Sequence, residues 1–191
     1  MVEKTGKPEV PTTFESPDAE REKLIWFCDE KGHESLLTAD KAVKITMRYS
    51  EFKICNLLLR WPSADPYPEF PVTVEFKSTT VADKLVNLLT KRVETHLQGL
   101  AKEGKATGLA AYLYLDNILQ NNNLIPAWSE FALLKEVINA EKGDTLKTME
   151  KAGKIVVTLC EGKFKLVAEF TVPSSYPMQQ VKLVFKEHNF N

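Results

Sequence analysis

One β-rich pattern is written twice in this chain, and the duplication limits the folds open to it. The first copy, Val43 to Phe76, reads VKITMRYSEFKICNLLLRWPSADPYPEFPVTVEF, and the second, Gly153 to Phe185, reads GKIVVTLCEGKFKLVAEFTVPSSYPMQQVKLVF. Ile45 aligns with Ile155, Phe52 with Phe164, Pro62-Ser63 with Pro173-Ser174, and Tyr67-Pro68 with Tyr176-Pro177. In both copies the tyrosine precedes the closing phenylalanine by nine positions, Tyr67 to Phe76 and Tyr176 to Phe185. A period of about 110 residues is too long for a solenoid and has the size of a whole domain.

Periodicity places elements around each copy. Behind the Ser-Pro start signal at 16–17, residues Asp18 to Glu30 fit a short helix through Leu24, Ile25, Phe27 and Cys28. Ala42 to Tyr49 alternates as a half-buried strand, and Phe52 to Trp61 follows after a tight turn. Pro62 to Pro71 holds four prolines, which cannot donate to a ladder, so the segment reads as a rigid loop. Val72, Val74 and Phe76 then complete a three-stranded meander. From Val81 to Leu100, apolar residues recur at three- and four-residue spacing, the signature of an amphipathic helix. Leu109 to Leu119 predicts a further helix, and Pro126 opens another whose apolar face is Trp128, Phe131, Leu134, Val137 and Ile138. Strands follow at Lys154 to Cys160, Phe164 to Val172 and Val181 to Phe185.

Composition narrows the functional classes. Twenty-five Lys and Arg balance 26 Asp and Glu, whereas nucleic-acid or anionic-lipid surfaces need a basic excess. No apolar run approaches the length of a membrane span, and the N-terminus lacks the apolar stretch of a signal peptide. The three cysteines, Cys28, Cys55 and Cys160, are odd in number and widely spaced, which points to a reducing, intracellular setting, cytoplasmic or nuclear.

A helix, a meander ending in a Tyr-Pro loop, and then long helices resemble the RWD domain, a non-catalytic relative of ubiquitin-conjugating enzymes. That family carries a YPxxxP loop. The first copy, Tyr67-Pro68-Glu69-Phe70-Pro71, is one residue short of that spacing, and the second keeps Tyr176-Pro177 without the final proline. The resemblance covers about 18–120 as a complete unit and about 126–191 as a unit without its C-terminal helices. It implies an α+β fold of two RWD-like units, each an antiparallel meander with helices packed on it. The expected division is a flexible lead-in at 1–16, a first domain at 17–122 and a second at 123–191. Phe185 and Phe190 read as the middle of a domain, so continuation of the chain past Asn191 is expected. The loop residues Tyr67, Pro68, Pro71, Tyr176 and Pro177 are the structural motif, and Trp61 and Phe70 beside it are candidate partner anchors or loop packing.

The chemistry of catalytic relatives is not evident. Those enzymes carry ubiquitin as a thioester on a cysteine soon after the third strand, because transfer needs a sulfur leaving group. After Tyr67 the next cysteine is Cys160, in the other copy. Glu187-His188-Asn189 resembles the His-Pro-Asn segment of the enzymes, yet no cysteine follows it. Cys28, Cys55 and Cys160 read as small buried thiols. The run from Gly99 to Lys105 has phosphate-loop spacing, but Ala106 replaces the hydroxyl that holds magnesium, and the run follows a helix. His33, His96 and His188 stand apart from any ligand-spaced Cys or carboxylate, and Glu20-Arg21-Glu22-Lys23 reads as a solvated helix face. The expected function is a non-catalytic scaffold binding protein partners in ubiquitin-ligase or conjugation machinery, with no cofactor, metal, nucleic acid, membrane or small-molecule substrate. Two alternatives stand: a divergent conjugating enzyme whose cysteine lies beyond position 191, and an obligate subunit of a kinetochore-type assembly.

Overall fold

The computed structural model describes residues 10–63 and 67–189. It is an α+β structure with two four-stranded antiparallel sheets and four α-helices. Helix α1 spans Pro17–Glu30, entered through Ser16, whose hydroxyl accepts from the Ala19 N–H at 3.2 Å. Pro17 at the first helical position and Asp18 and Glu20 in the first turn suit the helix dipole. The first sheet follows, with β1 (Glu34–Leu37), β2 (Val43–Ser50), β3 (Lys53–Arg60) and β4 (Thr73–Ser78) in sequential order. Alternate residues of β2 and β3 are buried, including Val43, Ile45, Met47, Cys55, Leu57 and Leu59. This is the period-two pattern of a sheet with one face on a core.

Helices α2 (Asp83–Lys102) and α3 (Gly108–Asn121) cover that face together with α1. The stripe Leu85, Leu89, Val93 and Leu97 of α2 is buried as its spacing requires. On α3, Tyr112, Leu115 and Leu119 have no exposed surface. Each fully buried aliphatic side chain of this kind contributes about 1.5–3 kcal/mol before entropy costs.

The second half repeats the order on a smaller scale. A 3-10 turn at Ile125–Ala127 leads into α4 (Trp128–Val137), followed by β5 (Thr145–Met149), β6 (Lys154–Glu161), β7 (Phe164–Thr171) and β8 (Lys182–His188), again in sequential order. Its buried apolar core is Leu124, Ala127, Ile155, Val157 and Val172, with Phe131, Leu134 and Ile138 packed against it. The expected stripe of α4 therefore divides. Trp128 packs on the first core, Phe131 and Leu134 face the second sheet, and Val137 is exposed.

Each sheet has one strand more than the expected three-stranded meander. Both additions, β1 and β5, are short edge strands with mostly exposed residues. Little of either is held by a core, so neither shows the alternation that marks a strand in sequence. The lead-in expected to be flexible is partly anchored: Phe14 packs on the first core, and the Thr12 carbonyl accepts from the Ala106 N–H at 2.9 Å. Residues 1–9 and Phe190 lie outside the described residues. The junction at 122/123 is shared rather than open, since Ile125 belongs to the first core and Leu124 and Ala127 to the second.

Candidate functional site

The Tyr-Pro loops are the repeated feature, and in both the peptide bond is cis, Tyr67-Pro68 and Tyr176-Pro177. Each tyrosine reaches back to a glutamate in the first turns of the helix preceding its meander. The Tyr67 hydroxyl donates to Glu20 Oε2 at 2.9 Å, and the Tyr176 hydroxyl donates to Glu130 Oε1 at 2.7 Å. The sequence separations are 47 and 46 residues. Glu20 lies on α1 and Glu130 on α4.

The two sites differ in what else the carboxylate holds. Glu20 is 0% exposed and holds three donors outside its own helix. Trp61 Nε1–H donates to Glu20 Oε2 at 2.7 Å, and the Leu109 N–H donates to Oε1 at 2.9 Å. The second bond places a carboxylate at the positive end of α3, where a first-turn N–H has no helical partner. Thr107, in the capping position, spends its hydroxyl oxygen on the Val72 N–H at 3.0 Å. The Arg21 guanidinium lies over the Trp61 ring at 4.7 Å. Gly108 completes the packing: a Cβ there would collide with Cζ2 of Trp61. Burial and the adjacent Glu20 carboxylate push the Tyr67 hydroxyl pKa up, so it stays a donor.

This arrangement corrects the reading of residues 20–23 as a solvated face. Glu20 and Arg21 are buried, because the proline loop and the start of α3 fold over them. Trp61 is 9% exposed and belongs to the core, while Phe70 is 53% exposed on the loop surface. Pro71 lies beyond it on the same loop. In the second unit the Tyr176–Glu130 bond is exposed. Its hydrogen bond to Glu130 and partial burial raise the Tyr176 hydroxyl pKa.

A second buried polar group joins α1, β2 and α3. Asp116 Oδ1 accepts from the Tyr49 hydroxyl at 2.6 Å and from His33 Nε2–H at 3.2 Å, and Oδ2 accepts from Lys31 Nζ at 2.7 Å. Burial pushes the Asp116 carboxyl up, but donation from His33, Lys31 and Tyr49 outweighs it and holds the pKa at about 2. His33 is thus not isolated in space, although its partner is 83 residues away. Lys53 is buried as well, and its Nζ donates to the carbonyls of Leu119 and Asn122 at 2.7 and 3.2 Å. It caps the negative end of α3 with a cation. His96 stacks on Tyr114 with ring centroids 4.9 Å apart.

Cys28 and Cys55 are fully buried, and burial pushes their thiols up to about 12 and about 11. Neither supplies a thiolate near neutral pH. Cys160, expected to be buried, is half-buried, with its Sγ 3.5 Å from the Gly143 carbonyl. It lies toward the β6–β7 turn. The run from Gly99 to Lys105 closes the end of α2: the N–H groups of Gly104 and Lys105 donate to the carbonyls of Ala101 and Leu100. Those donors are committed to ending a helix and do not converge on an anion. Among the described residues no group of three or more His, Cys, Asp or Glu is arranged to hold a metal ion. No helix there is long and apolar enough to cross a membrane. No family model, curated protein or solved structure matches the chain.

Proposed function

We propose that the chain is a non-catalytic protein–protein interaction scaffold of two RWD-like units, operating in ubiquitin-ligase or ubiquitin-conjugation machinery within the cell. The observation that carries this reading is the recurrence of one contact. In each half, a Tyr-Pro loop before the last strand of a meander returns a tyrosine hydroxyl to a glutamate on the helix that precedes the meander. Two copies of one architecture with the same loop support the resemblance to RWD domains, and that resemblance implies binding without chemistry. The inaccessible, weakly acidic Cys28 and Cys55 agree with it.

The test is affinity purification of the tagged 191-residue chain from cell extract, with partners identified by mass spectrometry. Stoichiometric ubiquitin-pathway proteins are the expected result, and their absence would remove the pathway assignment. A parallel charging assay with activated ubiquitin is expected to leave all three cysteines unmodified. A reductant-sensitive ubiquitin adduct on Cys160 would overturn the non-catalytic reading.

A further inference from the structure

The passage from the first unit to the second is fastened on both sides, whereas domain boundaries ordinarily fall in exposed segments that few contacts cross. Lys53 Nζ, from β3 of the first sheet, donates to the carbonyls of Leu119 and Asn122 at 2.7 and 3.2 Å. Asn122 Oδ1 accepts from the Leu124 N–H at 2.9 Å. Asn123 then holds the second unit with two donors. Its backbone N–H reaches the Glu150 carbonyl and its Nδ2 the Lys151 carbonyl, each at 2.9 Å. Both acceptors lie in the 3-10 turn Glu150–Ala152, between β5 and β6. Gly153 follows that turn with φ of 63°. A Cβ there would stand 2.9 Å from the Val172 carbonyl oxygen and 3.4 Å from Asn123 Cβ, so the joint is close-packed as well as bonded.

The side chains that follow are divided between the two cores. Leu124 and Ala127 are buried in the second and Ile125 in the first, while Trp128 packs on the first and Phe131 on the second. Pro126, inside the 3-10 turn Ile125–Ala127, fixes one backbone angle of the segment. A swing of one unit against the other would draw Ile125 and Trp128, or Leu124 and Ala127, out of a packed interior into water. We propose that residues 122–128 form a rigid coupling that carries the second unit on the first as one body. Three consecutive asparagines read as a loop in sequence, yet Asn122 and Asn123 both spend side-chain groups on the junction. The coupling concerns motion alone and holds whether or not the scaffold reading does. Its consequence for any partner is mechanical. A molecule that touches both units meets them in one fixed arrangement, and no freedom between them is lost on binding. Modules on a flexible tether would instead engage the second contact at a concentration set by the linker.

The test is NMR on the isotope-labelled 191-residue chain, with residual dipolar couplings and backbone nitrogen relaxation of β2–β4 and of β6–β8 fitted separately. One alignment tensor and one rotational correlation time are expected for the two sheets. Two tensors, or faster tumbling of the second sheet, would overturn the proposal. Hydrogen exchange adds a local readout, because the Asn123 N–H is bonded across the junction. That amide should exchange at least about tenfold more slowly than a free one, and exchange at the free rate would count against the coupling just as decisively. A Gly-Gly-Ser-Gly insertion between Asn123 and Leu124 supplies the flexible reference, with circular dichroism verifying that it keeps its fold. The insertion should split the single tensor into two. A single tensor that survives it would place the coupling outside residues 122–128 and overturn the assignment. The measurements on the unaltered chain decide the matter even if the inserted variant does not fold.

Discussion

A single carboxylate can stabilise several elements at once when it is buried among donors, and Glu20 does so for Trp61, Tyr67 and Leu109. Glu20→Ala strands those donors, so a loss of about 3 kcal/mol is expected in urea unfolding followed by tryptophan fluorescence. Glu130→Ala removes the matching but exposed bond, and the same measurement should show less than about 1 kcal/mol. Gly108→Ala drives a methyl into the Trp61 ring and should cost about 1–3 kcal/mol. Asp116 gives a pH signature. Its folded pKa of about 2 lies below the ordinary 3.8, so its contribution is present above about pH 4 and is lost as pH falls toward 2. Between pH 6 and pH 2.5 the original chain should lose more stability than Asp116→Asn, measured by urea midpoints at each pH. None of these roles was readable from local sequence. Glu20 sits in an alternating charged run, and His33 and Asp116 are 83 residues apart, so the signal exists only once the chain is folded.

At the scale of elements, legibility follows burial. Strands β2, β3 and β4 and helices α2 and α3 each press a periodic apolar row into one core, and their bounds agree with the periodicity to within a few residues. Strands β1 and β5 are held by backbone pairing at sheet edges, which imposes no pattern on side chains. The end of α3 depends on Lys53, whose ammonium takes two of its terminal carbonyls. Lys53→Met keeps the apolar stem and removes the cap. It should lower stability by about 1–3 kcal/mol and speed hydrogen exchange in the last turn of α3 more than in its first turn.

For the whole molecule, the two units share an order of elements but not a depth of core. Among the described residues, the first sheet carries three helices and the second carries α4 alone. Native-state hydrogen exchange should therefore protect β2–β4 more strongly than β6–β8, and equal protection would contradict the difference in burial. The repeat in sequence revealed the shared architecture. The thinner cover of the second sheet was legible in the helices that its copy of the pattern lacks, and its extent shows at matching steps, where Val74 and Phe76 are buried and Leu183 and Phe185 exposed.

The bond from Glu20 to the start of α3 also sets an order of events on the ribosome. Its partner N–H lies 89 residues downstream, and the apolar row of α3 runs on to Leu119. The meander is complete at Ser78, yet the share of the first core that α3 supplies is missing until α3 has been made. At ordinary translation speeds of about 5–20 residues per second, that interval is roughly 2–8 s. Throughout it, the nascent chain holds a finished sheet whose apolar face still lacks Tyr112, Leu115 and Leu119.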